Sequence, residues 1–279
     1  MNEISFQGRN IHIRQAGKIL QKIDNSFPVI CPWKVNRLAG NDGSTIKAPI
    51  CQEKLDILRD CTKPDFISDY KYASKILEGV KLFKSANCKE LSELGYLIAM
   101  ANNMKNCYCA SLYGKISDRS SDLKNFGHVV LLIMKKPAEK PKFSHKYYVD
   151  SVHLSDTIIP DNKTIVVDPV LGIVDYWKNA ILKYAQTSLN EIVSFKDVRA
   201  CLRQPLLSSE KDLNKLKKEY PILDFKNKSN KIKKHYSFHK GLQDLKIFKK
   251  EHNIKCMNSE DEKETTNNLI LNALKSYFM

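Results

Sequence analysis

At 279 residues, with 42% hydrophobic and 9% aromatic content, the chain can bury one substantial core or a catalytic domain with a smaller appendage, and its composition excludes global disorder. Its longest apolar runs, such as Val129 to Met134, are far too short to span a bilayer. The net charge of +15 suits nucleic acid, an anionic membrane or acidic proteins alike, so by itself it names no partner.

Residues 1–63 read as short, irregular elements, because prolines at 28, 32 and 49 and the Gly-Asn-Asp-Gly-Ser stretch at 40–44 punctuate them as turns. The opening MNEISFQGRN lacks the apolar stretch of a secretory signal, so export by that route is not expected. A helix is expected from about residue 65, just after Pro64, where Phe66, Tyr70, Ala73, Leu77 and Val80 recur at helical spacing. Ser85-Ala86-Asn87 then breaks the pattern. A second helix starts at Cys88, with Leu91, Leu94, Ile98 and Ala101 on one face and Asn87 as a natural N-cap.

After Asn102-Asn103 the pattern shifts to short strands. Segments 129–134, 146–149 and 164–167 are rich in β-branched and aromatic residues, separated by polar or proline-containing connectors. From about residue 173 the chain reads as helical again, with Val174, Trp177, Ile181 and Tyr184 on one side. Beyond residue 205 it turns basic: residues 211–250 carry 13 lysines against 4 acidic residues. Helices are expected there at 209–219, 237–251 and 261–277.

The eight cysteines form no CxxC pair and no zinc-ligand quartet. Scattered through a mid-sized chain, they fit reduced thiols in a cytosolic setting, with no metal and no cofactor expected. Cys88 stands apart from the rest. At a helix start, unpaired amides and the helix dipole favour an anion, which promotes the thiolate of a cysteine placed there. Its own backbone amide can help stabilise an oxyanion on an attacked carbonyl. The competing reading is that most cysteines are small buried hydrophobes.

His128 follows a glycine and opens the run Val129-Val130-Leu131-Leu132-Ile133, so it can project from a strand edge to take the thiol proton. Asp168 ends the strand Ile165-Val166-Val167 and can orient the imidazole through its second nitrogen. Asp-Pro is also a common turn starter, and Asp150, ending Tyr147-Tyr148-Val149, is an alternative acid.

The order of these three residues resembles the papain-like and transglutaminase-like Cys-His-Asp superfamily. Asn87-Cys88-Lys89-Glu90 resembles the superfamily's helix start, Gly127-His128-Val129 its histidine strand, and Val166-Val167-Asp168-Pro169-Val170-Leu171-Gly172 its strand-ending Val-Asp-Pro-Trp-x-Gly segment. Val170 stands where tryptophan is frequent, and Ser85-Ala86 where a glycine often precedes the Asn-Cys pair. The similarity covers roughly residues 65–185.

It implies an α+β fold in which a helix bearing the cysteine packs on a small antiparallel sheet bearing the histidine and aspartate. The expected organisation is an irregular or helical segment over 1–63, a catalytic core over 64–200 and a basic, mainly helical region over 201–279. The implied chemistry is thiolate attack on an amide of a protein substrate, giving a thioester that water or an amine resolves. That describes a protease, a glutamine deamidase or a transglutaminase. Secreted bacterial effectors use this core on host proteins, so a specialised secretion system delivering the chain into host cytosol is the expectation by analogy. A second oxyanion donor is unassigned, with Gln52 as candidate.

The basic region offers Lys217, Lys218, Lys231, Lys233 and Lys234 for docking to an anionic membrane or acidic partner. Its scarcity of arginine disfavours nucleic acid. A non-enzymatic interaction module built on this region is the alternative function, and a solvated helical face is the plainest reading of the charge.

Overall fold

The computed structural model describes residues 3–29, 31, 47–61, 69–115, 123–138, 151–185, 198–203, 205–207 and 209–227. Among these it is an α+β protein with six α-helices and one antiparallel sheet. The chain divides into two interleaved units. One comprises residues 1–26, 88–206 and 223–228, and the other 27–87, 207–222 and 229–279.

The first unit holds the whole sheet. Its strands are β1 (Cys107–Lys115), β2 (Leu123–Ile133), β3 (Ser151–Val152), β4 (Ile165–Asp168), β5 (Ile173–Tyr176) and β6 (Arg199–Leu202). They lie in the order β5-β4-β2-β1-β6, with β3 paired to the start of β2. Helices α1 (Glu3–Ser26), α4 (Cys88–Ala101) and α5 (Trp177–Ala185) complete the unit.

The central strand β2 reads as an unbroken apolar run because both of its faces are covered. Val130 and Leu132 join Ala110, Leu112, Val166, Trp177, Ala180 and Tyr184 in a core beneath α5. The alternate residues face α4 and α1. A Cβ added at Gly95 of α4 would meet Leu131 of β2 at 3.3 Å and Ile19 and Ile23 of α1 at 3.5 and 3.7 Å. Glycine at position 95 is thus what lets α4 lie close over the sheet.

The second unit is helical where it is described. It contains α2 (Lys47–Cys61), α3 (Asp69–Phe83) and α6 (Glu210–Glu219). Tyr72, Ile76, Leu77, Val80 and Phe83 of α3 are buried, as are Leu55 and Leu58 of α2 and Leu216 of α6. Ser209 caps α6, accepting a hydrogen bond from the Asp212 amide at 3.0 Å.

Several expectations need correction. Residues 1–63 are not a run of irregular pieces, since α1 and α2 occupy much of them. Ala16, Ile19 and Ile23 place one buried stripe along α1, and no proline precedes position 28. Pro49 falls within the first turn of α2, where a missing amide costs nothing. The helix expected from residue 173 begins at Trp177, because Ile173–Tyr176 pairs with β4 instead. Residues 201 and 202, expected in the basic helical region, belong to β6 at the sheet's edge. The strand expected at 146–149 and the helices at 237–251 and 261–277 lie outside the described residues. Among the described residues no helix is long and apolar enough to cross a membrane.

Candidate active site

Three elements of the first unit bring Cys88, His128 and Asp168 together. Cys88 is the first residue of α4 and is partly exposed. Its thiol donates to the Gly127 carbonyl oxygen at 3.6 Å and is near enough to His128 to help raise the imidazole. One turn along the helix, Ser92 donates to the Val129 carbonyl at 2.9 Å, and the Cys109 thiol reaches the Ser92 carbonyl oxygen at 3.4 Å. These bonds tie the first turns of α4 to β2 and β1, fixing where the cysteine stands.

His128 does not open β2, as the glycine before it suggests; the strand begins at Leu123. The register explains the histidine's aim. Ser111 pairs with Val129 and Tyr113 with Asn125, so three residues of β2 stand opposite the single Leu112 of β1. Gly127, at φ 69°, absorbs this bulge in a left-handed conformation. The irregularity re-aims His128, which is buried with Nε2 only 2.7 Å from Oδ2 of Asp168. With Nε2 so engaged, Nδ1 is the nitrogen left for the thiol.

Asp168 closes β4 and is fully buried. The turn it starts satisfies one of its own oxygens: Oδ1 accepts from the amides of Val170 and Leu171 at 3.0 and 3.1 Å. Oδ2 accepts from His128 and also from the Tyr184 hydroxyl at 3.0 Å. Tyr184 additionally sets its ring edge against His128, with centroids 5.7 Å apart at 75°. Turn starter and imidazole partner are therefore one residue's two roles.

The electrostatics follow from this packing. Burial works against a charge on His128, but the Asp168 carboxylate and its hydrogen bond prevail, with Cys88 adding to them, and raise the imidazole to about 10. Burial likewise opposes ionisation of Asp168, yet His128, the Leu171 amide and Tyr184 hold its carboxyl below the usual range. The pair is thus an imidazolium and a carboxylate at neutral pH. Cys107 and Cys109 lie deeper, and burial pushes both thiols up, that of Cys107 to about 12. Those are inert environments for a thiol.

Gln52 lies on α2, in the other unit, where its side-chain amide donates to Asp56 on the same helix at 2.8 Å. Lys217 and Lys218 occupy the last turn of α6. Asp150, Lys231, Lys233 and Lys234 lie outside the described residues. Tyr184 was legible only as a member of an apolar helix face; nothing in its spacing announces a bond to Asp168. Among the described residues, no three His, Cys, Asp or Glu side chains converge as a metal site would require.

No protein-family model matches the sequence, and comparison with curated proteins and with solved structures gives no match.

Proposed function

We propose that the chain is a cysteine-dependent enzyme that attacks amide bonds of a protein substrate, with Cys88 as nucleophile, His128 as proton carrier and Asp168 as orienting acid. One observation carries the reading: His128 stands between a partly exposed thiol at a helix start and a fully buried carboxylate. An imidazole held this way supports a thiolate–imidazolium pair, which a structural histidine has no need of.

The Cys88 thiolate attacks the amide carbonyl, and the developing oxyanion is met by the backbone amide of Cys88 at the start of α4. Collapse breaks the carbon–nitrogen bond as the His128 imidazolium gives its proton to the leaving amine, leaving a thioester. His128, now neutral, takes a proton from water or an acceptor amine; this attacks the thioester and releases the thiol. A peptide acyl group with water gives proteolysis, a glutaminyl acyl group with water gives deamidation, and an amine acceptor gives a crosslink. A host-cell protein, reached through a specialised secretion system, is the substrate class suggested by the resemblance to secreted bacterial effectors.

Cys88→Ala provides the test. Incubated with candidate proteins and read by intact mass, the native chain should yield fragments, a gain of a single mass unit, or a crosslink with loss of ammonia. The variant should lose on the order of a thousandfold of that activity while keeping its fold. Full activity in Cys88→Ala would sink the proposal.

A further inference from the structure

Oδ2 of Asp168 accepts two hydrogen bonds, one from His128 and one from Tyr184. The second has no part in the three-residue scheme. It comes from a phenol that is itself fully enclosed, held on α5 with Trp177 and Ala180 in the core beneath the sheet. Burial and the nearby carboxylate keep that phenol protonated, so it is a permanent donor.

A donor in this position settles where one proton resides. A buried carboxylate beside an imidazolium has an alternative state, in which it takes the Nε2 proton and both partners become neutral. The imidazole then keeps its proton on Nδ1, facing Cys88, but loses the positive charge that stabilises a thiolate there. Every neutral donor on the carboxylate opposes this transfer. The amides of Val170 and Leu171 serve Oδ1; Tyr184 alone among the described residues supports His128 at Oδ2.

We propose that Tyr184 is a positioning residue, whose hydroxyl keeps Asp168 ionised so that Nε2 keeps its proton and His128 stays an imidazolium facing Cys88. The inference rests on the reading of Cys88 and His128 as a nucleophile–base pair. Among the described residues, the titratable groups acting on this carboxylate and imidazole are Cys88 from α4, His128 from β2 and Tyr184 from α5.

The test is a ¹³C titration of the Asp168 carboxyl, with the imidazole nitrogens of His128 followed by ¹⁵N shifts. In the native chain the ionisation of Asp168 should lie below the ordinary carboxyl range. In Tyr184→Phe, which keeps the ring edge on His128, its ionisation should move up by about one pH unit, as loss of one hydrogen bond to a charged group implies. Alkylation of Cys88 at neutral pH should fall about tenfold with it. A more acidic fluorotyrosine at position 184, which preserves the fold if the phenylalanine variant does not, should move ionisation the opposite way.

Ionisation unmoved by either replacement would overturn the inference. Because the titration needs no turnover, a shifted Asp168 in a chain that cleaves no amide would refute the enzymatic reading and leave the positioning role standing.

Discussion

Among the described residues each unit contains a buried phenol–carboxylate pair. In the first unit Tyr184 donates to Asp168; in the second, Tyr220 donates to Glu78. Both phenols are pushed up by burial and then by the neighbouring carboxylate. Both carboxylates are shielded from water. The surroundings differ. Tyr220 caps the C-terminal end of α6, its amide bonding to the Leu216 carbonyl, and its hydroxyl ties that end to α3. Nearby, Tyr70 of α3 donates to Glu219 of α6, and Lys215 stands 4.0 Å over the Tyr70 ring. Asp168 instead continues outward through His128 to a thiol that solvent can reach. A buried acid with a satisfied donor is therefore a structural device, common to both units. Chemistry requires a titratable ring leading from it to an accessible nucleophile.

The sharpest way to break that contrast is to neutralise both acids. Asp168→Asn should lower Cys88-dependent turnover on the order of a hundredfold to ten-thousandfold, since the amide cannot hold an imidazolium. Glu78→Gln should leave it within about twofold, as expected for a change away from the chemistry. Equal losses, measured as initial rates on one substrate, would mean that the two pairs do the same work.

A smaller effect concerns stability against pH. His128 is raised from 6.5 to about 10, so its contribution is full below pH 6.5 and lost as pH rises through about 10. Asp168 is lowered from 3.8, so its contribution is full above that value and lost as pH falls through the folded one. Urea midpoints should therefore stay level between about pH 4 and 6.5 and decline on both sides. Asp168→Asn should flatten the alkaline slope and remove the acid slope that Asp168 supplies. Unchanged slopes in the variant would contradict the assigned pairing.

Much of this site was legible in the chain before folding. The break at 85–87 marked the start of α4, and Val-Val-Asp-Pro favoured Asp168 as the acid because a buried strand ended on it. What was not legible depends on register. That His128 lies inside β2, and is aimed by a bulge opposite Leu112, follows from pairing with β1. Strands β5 and β6 span four residues each, too few for alternation to show, and exist because β4 and β1 accept them. Helix α1 hides its stripe among Gln, Gly and Asn, with Ala16, Ile19 and Ile23 as the enclosed apolar residues along its described face. Tyr184 required two long-range facts at once, the placement of α5 under the sheet and that of β4 beside β2.

The most direct test of the thiolate–imidazolium pair is alkylation of the folded chain with iodoacetamide at pH 6, the adduct located by peptide mass. Cys31, Cys107, Cys109 and Cys201 are buried, so Cys88 should carry the label among the cysteines whose side chains are described. The native chain should react at least about tenfold faster there than His128→Asn, because the imidazolium holds the thiolate in place. Equal rates in the two proteins, or a Cys88 that stays unlabelled while folded, would contradict the account.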